Sequence, residues 1–288
     1  IGKVAKKMNK ATICFHRETY QKGLFGFRSK IIKIGLSKWF DKIAFISWND
    51  FNETGNINAV KKVIYDRVDI SAFNNYEKQE AQQILGLKHN KKYILYLGGI
   101  SKLKGSDVIM KAMKYIIDEN IKLIFINEND YVSKLAFSKC NTIKQKIKYI
   151  LKKDIKYKTL EPYFKNKLEN KVIFKKRISN PEVYYKACDL VVFPSTIPHQ
   201  ARPIYESGIT KIPILITNFQ QTKEFAEDGM TAITFKNGDS YDLAKKINMF
   251  FKGKIDVTKI IENNYKQTIK NHDLSTLKYD LDELFKFD

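Results

Sequence analysis

Lys92-Tyr93-Ile94-Leu95-Tyr96-Leu97 runs directly into Gly98-Gly99-Ile100-Ser101-Lys102-Leu103-Lys104-Gly105, and an apolar helix is predicted from Ser106 to about Ile117. An apolar run, a glycine loop and a helix are the parts of one β-α unit, and repeated units of this kind wrap around a parallel sheet. The pattern repeats downstream. Strands are predicted at Lys122–Ile126, Lys171–Phe174, Leu190–Phe193 and Pro213–Thr217, with helices between them. Upstream, strands are predicted at Ala11–Phe15, Lys42–Ser47 and Lys62–Tyr65, with a basic amphipathic helix over Arg28–Phe40 and another helix near Lys78–Leu85. The fold class is therefore α/β. Residues from about Asp66 to Tyr76 are polar and irregular and read as a linker. A Lys-rich stretch from Ile143 to Leu168 reads as one or two helices, and the tail from about Val257 is helical with a break near His272-Asp273.

The 288 residues suffice for one large or two modest domains. With 43% hydrophobic and 13% aromatic residues the chain fits a globular protein, and no apolar run is long enough to span a bilayer. The chain opens Ile1-Gly2-Lys3, which leaves processing, truncation or a longer parent open. Cys14, Cys140 and Cys188 have neither metal-ligand spacing nor a disulfide framework, so reduced thiols and a cytoplasmic setting are expected. Cys188, within Ala187-Cys188-Asp189-Leu190, reads as a small core residue. The net charge of +21 suits an anionic partner, although a Lys-, Ile- and Asn-rich composition is also what AT-rich coding produces. Few of the basic residues are Arg, and neither a zinc-finger spacing nor an RNP-like motif is present, which argues against nucleic acid.

Strand ends followed by glycine loops and helix N-termini are where α/β sheets bind phosphates, because the backbone approaches closely and the helix end offers unpaired N–H groups. Gly98–Gly105 has that form, with Lys102 and Lys104 to neutralise charge; a plain turn is the competing reading. A second series is more specific. Phe193-Pro194-Ser195 ends a buried strand, Arg202-Pro203-Ile204-Tyr205-Glu206-Ser207-Gly208 leads into a helix, and Ile212-Pro213-Ile214-Leu215-Ile216-Thr217 is the next strand. Thr222-Lys223-Glu224-Phe225, Asp228-Gly229-Met230 and Asn237-Gly238-Asp239 follow in that order.

From Lys92 to Ile247 this series resembles the donor-nucleotide domain of family 4 GT-B-fold retaining glycosyltransferases (glycosyl transferases group 1). The resemblance implies Rossmann-like parallel-sheet domains, with residues 76–270 as a complete C-terminal donor domain. Residues 1–75 would form a partial N-terminal acceptor domain with its linker, lacking its first half, and residues 271–288 a C-terminal helix crossing back to it. Phe15-His16-Arg17-Glu18 resembles a strand-end loop of the acceptor domain. Lys61–Asp69 resembles the strand and turn before the linker, with Asp66-Arg67 where an Asn-Gly is usual.

The resemblance also implies roles. Glu206 matches the glutamate that holds the donor ribose, with stabilisation by the helix N-terminus as the alternative. Gly98, Gly99 and Lys104 match the phosphate loop, with Gly99 in place of the usual Arg, and Arg202 is the candidate to supply the missing charge. A solvated lysine and a structural ion pair are the competing readings for Lys104 and Arg202. Thr222 and Glu224 lie where the family contacts sugar or phosphate. The acid that usually stands eight positions before Glu206 is Pro198 here, and His199 and Gln200 are the nearby candidates for sugar contacts. His16 matches a position where a His approaches the transferred sugar, although a lone His beside a strand is often structural.

These roles imply retaining transfer from a nucleoside diphosphate sugar (UDP- or GDP-sugar) to a cell-surface polysaccharide, glycolipid or other glycoconjugate, with no metal. Asp66 and Asp69 read as solvated. The Arg28–Phe40 and Ile143–Lys153 helices carry apolar stripes among lysines, which suits peripheral contact with an anionic membrane at the inner face of the cell, or equally a core-facing surface. An incomplete acceptor domain would call for a missing segment, a partner chain or self-association. The alternatives are a non-catalytic GT-B remnant acting as a binding subunit, and a sugar-nucleotide epimerase of the same fold.

Overall fold

The computed structural model describes residues 1–17, 26–73, 76–127, 143, 155–198 and 202–286. They divide into two compact units, one within residues 1–72, 198 and 267–286 and the other within 73–197 and 202–266. Glu18, Cys140, His199, Gln200 and the Ile143–Lys153 helix, Ile143 excepted, lie outside the described residues.

In the first unit, β1 (Ile13–His16), β2 (Lys42–Phe45) and β3 (Val60–Val63) form a parallel sheet in that order. Helices α1 (Gly2–Lys7), α2 (Phe27–Trp39) and α3 (Trp48–Thr54) accompany it. Leu36 of α2 packs against Ile43 and Phe45, so the sheet buries the inward stripe of that helix. Ser47 caps α3: it accepts a hydrogen bond from the Asp50 N–H at 3.0 Å and donates one to Asp50 Oδ2 at 2.7 Å.

The second unit is built on a parallel sheet of β4 (Lys92–Tyr96), β5 (Ile121–Asn127), β6 (Val172–Lys176), β7 (Leu190–Phe193), β8 (Ile214–Thr217) and β9 (Ile233–Phe235). Their order in space is β6-β5-β4-β7-β8-β9. The connecting helices are α4 (Lys78–Ile84), α5 (Ser106–Met113), α6 (Ile155–Lys165), α7 (Glu182–Ala187), α8 (Arg202–Thr210) and α9 (Ser240–Phe251). Strands covered on both faces need no polar side, which explains the unbroken apolar runs of β7 and β8, buried throughout. Asp189 ties the edge where β4 and β7 begin: its carboxylate accepts the Tyr93 N–H at 2.7 Å and pairs with Lys78 of α4. Cys188 beside it is buried, and burial pushes its thiol pKa well up. Asp239 caps α9 through the N–H groups of Tyr241 and Asp242.

The chain ends with α10 (Thr258–His272), a 3-10 turn (Leu274–Thr276) and α11 (Leu277–Phe285). Leu284 of α11 packs on Ala44 and Ile64 of the first unit. Residues 66–68, read from sequence as a polar linker, instead grip the break after α10. The Val68 N–H donates to the His272 carbonyl at 2.8 Å and the Leu274 N–H to the Val68 carbonyl at 3.1 Å. Arg67 donates to the Asn271 carbonyl and pairs with Asp280. Nor is Asp66 simply solvated: Arg17 pairs with it at 2.5 Å. Asp69 likewise accepts the Ser71 N–H at 3.0 Å. A polar run gives no sign of such distant partners, hence the difference.

His272 is buried, with Nδ1 2.7 Å from the Asp66 carbonyl oxygen, so Nδ1 carries the proton of the neutral ring. Burial, assisted by the Arg67 charge, lowers its pKa to about 4 against the Asp66 carbonyl's opposing effect. The unfolded chain therefore binds a proton that the folded one refuses. The corresponding stability is complete above about pH 6.5 and falls as pH drops towards 4, by roughly 3 kcal/mol in all. Urea unfolding across pH 7.5 to 4 is expected to show this loss, and His272→Asn to flatten it.

Candidate donor-binding site at the sheet's switch point

The chain order reverses between β4 and β7, since β4 leads through α5 to β5 on one side and β7 leads through α8 to β8 on the other. Loops leaving adjacent strands in opposite directions open a crevice at the carboxyl edge, where open α/β sheets bind ligands. The Gly98–Gly105 loop follows β4 and the Pro194–Pro198 turn follows β7, so the fold brings the two sequence-predicted segments to that one place.

Hydrogen bonds hold them together. The Thr196 N–H donates to the Leu103 carbonyl at 2.9 Å, and the Ser195 hydroxyl to the same oxygen at 3.0 Å. The Thr196 hydroxyl donates to the Lys102 carbonyl at 3.1 Å. From beneath, the buried Tyr96 hydroxyl reaches the carbonyls of Gly99 at 3.0 Å and Lys104 at 3.2 Å. Burial pushes the Tyr96 pKa up, so it remains a donor. With the carbonyls of residues 102 and 103 engaged by protein donors and the single Tyr96 proton shared between those of 99 and 104, the loop turns these acceptors towards the protein. Gly105 precedes α5 with φ +73°, and a Cβ there would lie 1.7 Å from the Pro194 carbonyl oxygen. Only glycine allows this approach. Lys102 and Lys104 are exposed on the same loop.

Glu206 lies in the second turn of α8 and is 6% exposed. Its Oε2 accepts the Tyr185 hydroxyl at 2.7 Å and its Oε1 accepts Arg202 Nε at 3.0 Å. Burial, reinforced by the Glu206 charge, raises the Tyr185 pKa well above that of an ordinary tyrosine, so this hydroxyl is a permanent donor. Each carboxylate oxygen retains acceptor capacity beyond these bonds. Asn264 of α10 secures the helix by donating to the Ile204 carbonyl at 3.2 Å and to Ser207 Oγ at 3.3 Å. Arg202 thus forms the ion pair that was its competing reading, while its side chain stays 61% exposed.

Other candidates are placed differently. Thr222 is buried and its hydroxyl donates to the Phe219 carbonyl at 3.2 Å; Glu224 is half-buried just beyond. His16 closes β1 in the first unit, opposite Phe45 in register, with ring centroids 5.5 Å apart. Among the described residues, no group of three or more His, Cys, Asp or Glu is placed to hold a metal. Sequence reading missed Tyr96, Tyr185 and Asn264. Each sits in an ordinary strand or helix pattern, where a tyrosine reads as core and an asparagine as surface.

The family model described as glycosyl transferases group 1 matches residues 77–267. The chain belongs to that family. Among curated proteins no sequence matches it. Solved structures share the fold at low identity. HepE of Anabaena, in a crystal structure with UDP and glucose, superposes with a TM-score of 0.79 at 17% identity, covering 98% of this chain and 73% of that one. Sucrose-phosphate synthase of Thermosynechococcus elongatus gives 0.76 at 15%, covering 99% and 70%. A glycosyltransferase of Rickettsia africae gives 0.72 at 16%, covering 100% and 80%. The parallel-sheet α/β fold of this group 1 glycosyltransferase is thus that of the GT-B enzymes.

Gly105→Ala is expected to destabilise the protein by roughly 2–4 kcal/mol, because the added methyl meets a backbone oxygen and the backbone is left-handed. A midpoint in urea within experimental error of the parent would contradict the close approach.

Proposed function

We propose that the protein is a family 4 GT-B enzyme that transfers a sugar from a nucleoside diphosphate sugar to a glycan or lipid-linked acceptor with retention at the anomeric carbon. One observation carries the reading: a buried carboxylate, Glu206, is oriented by Tyr185 on helices flanking the sheet whose switch point presents the glycine loop. In this reading Glu206 accepts the ribose hydroxyls. Gly98, Gly99 and the exposed Lys104 receive the diphosphate, and Arg202 turns its free guanidinium N–H groups to it while Nε stays on Glu206. Thr222 and Glu224 border the donor, and His16 and His199 stay the candidates for contact with the transferred sugar. The complex of HepE with UDP-glucose supports a uridine donor.

The chemistry that follows is electrostatic. The bond between the sugar's C1 and the β-phosphate oxygen breaks, and its electron pair leaves on the diphosphate, stabilised by lysine, arginine and backbone N–H groups. The acceptor hydroxyl bonds to C1 on the same face, and its proton passes to the leaving diphosphate oxygen. Pro198 in place of the usual acid favours a second reading, a subunit that binds the donor without transferring sugar. Product anomeric configuration decides between them: a retained centre supports the enzyme, an inverted one refutes retention, and an intact donor leaves the binding subunit.

A melting-temperature panel of UDP, GDP and their sugars is expected to give a rise of several degrees with one nucleoside diphosphate at about 100 times its Kd. Glu206→Ala should abolish that rise. No rise with any nucleotide would refute the donor site.

We also infer an anionic membrane contact through α2. Phe27, Ile31 and Ile34 are exposed at helical spacing, with exposed Lys30 and Lys38 beside them. Lys30→Glu with Lys38→Glu is expected to weaken co-sedimentation with phosphatidylglycerol vesicles by roughly tenfold or more, at about 1 kcal/mol per lysine. Unchanged binding would count against this face.

A further inference from the structure

The carboxyl edge of the second sheet accounts for the proposed donor. The opposite edge has a feature of its own. Where the chain passes from α5 to β5 and enters β6, a cavity of about 600 Å³ lies between that segment and α9. Volumes of this size accommodate small organic ligands. Asn248 of α9 fixes the two walls, accepting the Ile117 N–H at 3.3 Å and donating to the Tyr115 carbonyl at 3.0 Å.

The lining is cationic. Lys114, Lys171, Lys245, Lys252 and Lys254 line this open recess, all but Lys171 solvent-exposed, and Glu119 is the carboxylate among the described residues that line it. Lys171 pairs with Glu119 at 3.0 Å, which leaves four lysines without a carboxylate in the wall. The nearest acids in sequence are engaged elsewhere. Asp118 pairs with Lys92 at 3.0 Å, and Asp242 accepts the Lys236 N–H at 2.8 Å. Converging like charges in a concave surface raise the local potential and concentrate anions. Tyr115 and Tyr241 add two exposed aromatic rings at the cavity mouth, 5.6 Å apart and nearly perpendicular.

We propose that this cavity is a second, phosphate-recognising site, distinct from the donor site, in which Lys114, Lys245, Lys252 and Lys254 hold a phosphomonoester, diphosphate or phosphodiester group and the two tyrosines carry its organic body. A soluble phosphorylated metabolite and a phospholipid headgroup share this chemistry.

Trace acetylation of lysines, read by mass spectrometry, tests the site residue by residue. Inorganic pyrophosphate is expected to slow labelling of Lys245 and Lys252 severalfold at concentrations that leave the exposed Lys3 and Lys278 unchanged. Protection of Lys104 in the same spectra reports the donor site separately, so the two proposals stand or fall apart. Protection by pyrophosphate identifies a soluble ligand, whereas protection by phosphatidylglycerol vesicles alone identifies a headgroup. With Lys245→Glu and Lys252→Glu together, half-protection of Lys114 and Lys254 should need roughly tenfold more ligand. Uniform slowing of all surface lysines, or none at these four, would overturn the proposal.

Discussion

Gly105 meets the carbonyl of Pro194 at a distance that no side chain allows, and the organisation of the donor-side unit depends on that approach. It joins the loop after β4 to the turn after β7 at the point where the sheet reverses its order. Once they are joined, Thr196 and Ser195 take the carbonyls of Lys102 and Leu103, and the Tyr96 hydroxyl shares its one proton between those of Gly99 and Lys104. A loop so held pays its ordering entropy on folding rather than on binding, which is what preorganisation requires. The same sheet then presents α8, where Tyr185 and Arg202 fix both oxygens of Glu206.

Burial alone would make Glu206 a liability, because an ionised carboxylate out of water needs partners. Tyr185 supplies one from a fully buried position and Arg202 supplies another from the surface. The arrangement leaves the carboxylate oriented and still able to accept further hydrogen bonds. An arginine bound through Nε keeps its terminal N–H groups for a phosphate, so the structural ion pair and the ligand role are compatible.

Much of the fold was legible because parallel strands covered on both faces are written as continuous apolar runs. Lys92–Leu97, Leu190–Phe193 and Pro213–Thr217 were read within a residue or two of β4, β7 and β8. The glycine loop was legible through local backbone chemistry, and the break at His272-Asp273 through its loss of helical pattern. What escaped depends on partners far apart in sequence. Arg67 meets Asp280 and Asp66 meets His272 across some two hundred residues, so a linker turn that looked solvated is a clasp on the chain's end. Tyr185 escaped for a related reason: one tyrosine of a pair in a short helix carries no mark of the carboxylate it will meet. The lysine-lined cavity behind α9 is assembled from three separate segments, and only their folding turns a lysine-rich composition into a local concentration of charge.

The family membership and the fold make sugar transfer the framework, and the central claim within it is that Glu206 and the Gly98–Gly105 loop receive a nucleoside diphosphate. A crystal structure with UDP is the most direct measurement. The account predicts the ribose hydroxyls within hydrogen-bonding distance of Glu206 and the diphosphate over the loop beside Lys104. UDP bound elsewhere, with Glu206 still enclosed by its protein partners alone, would contradict it.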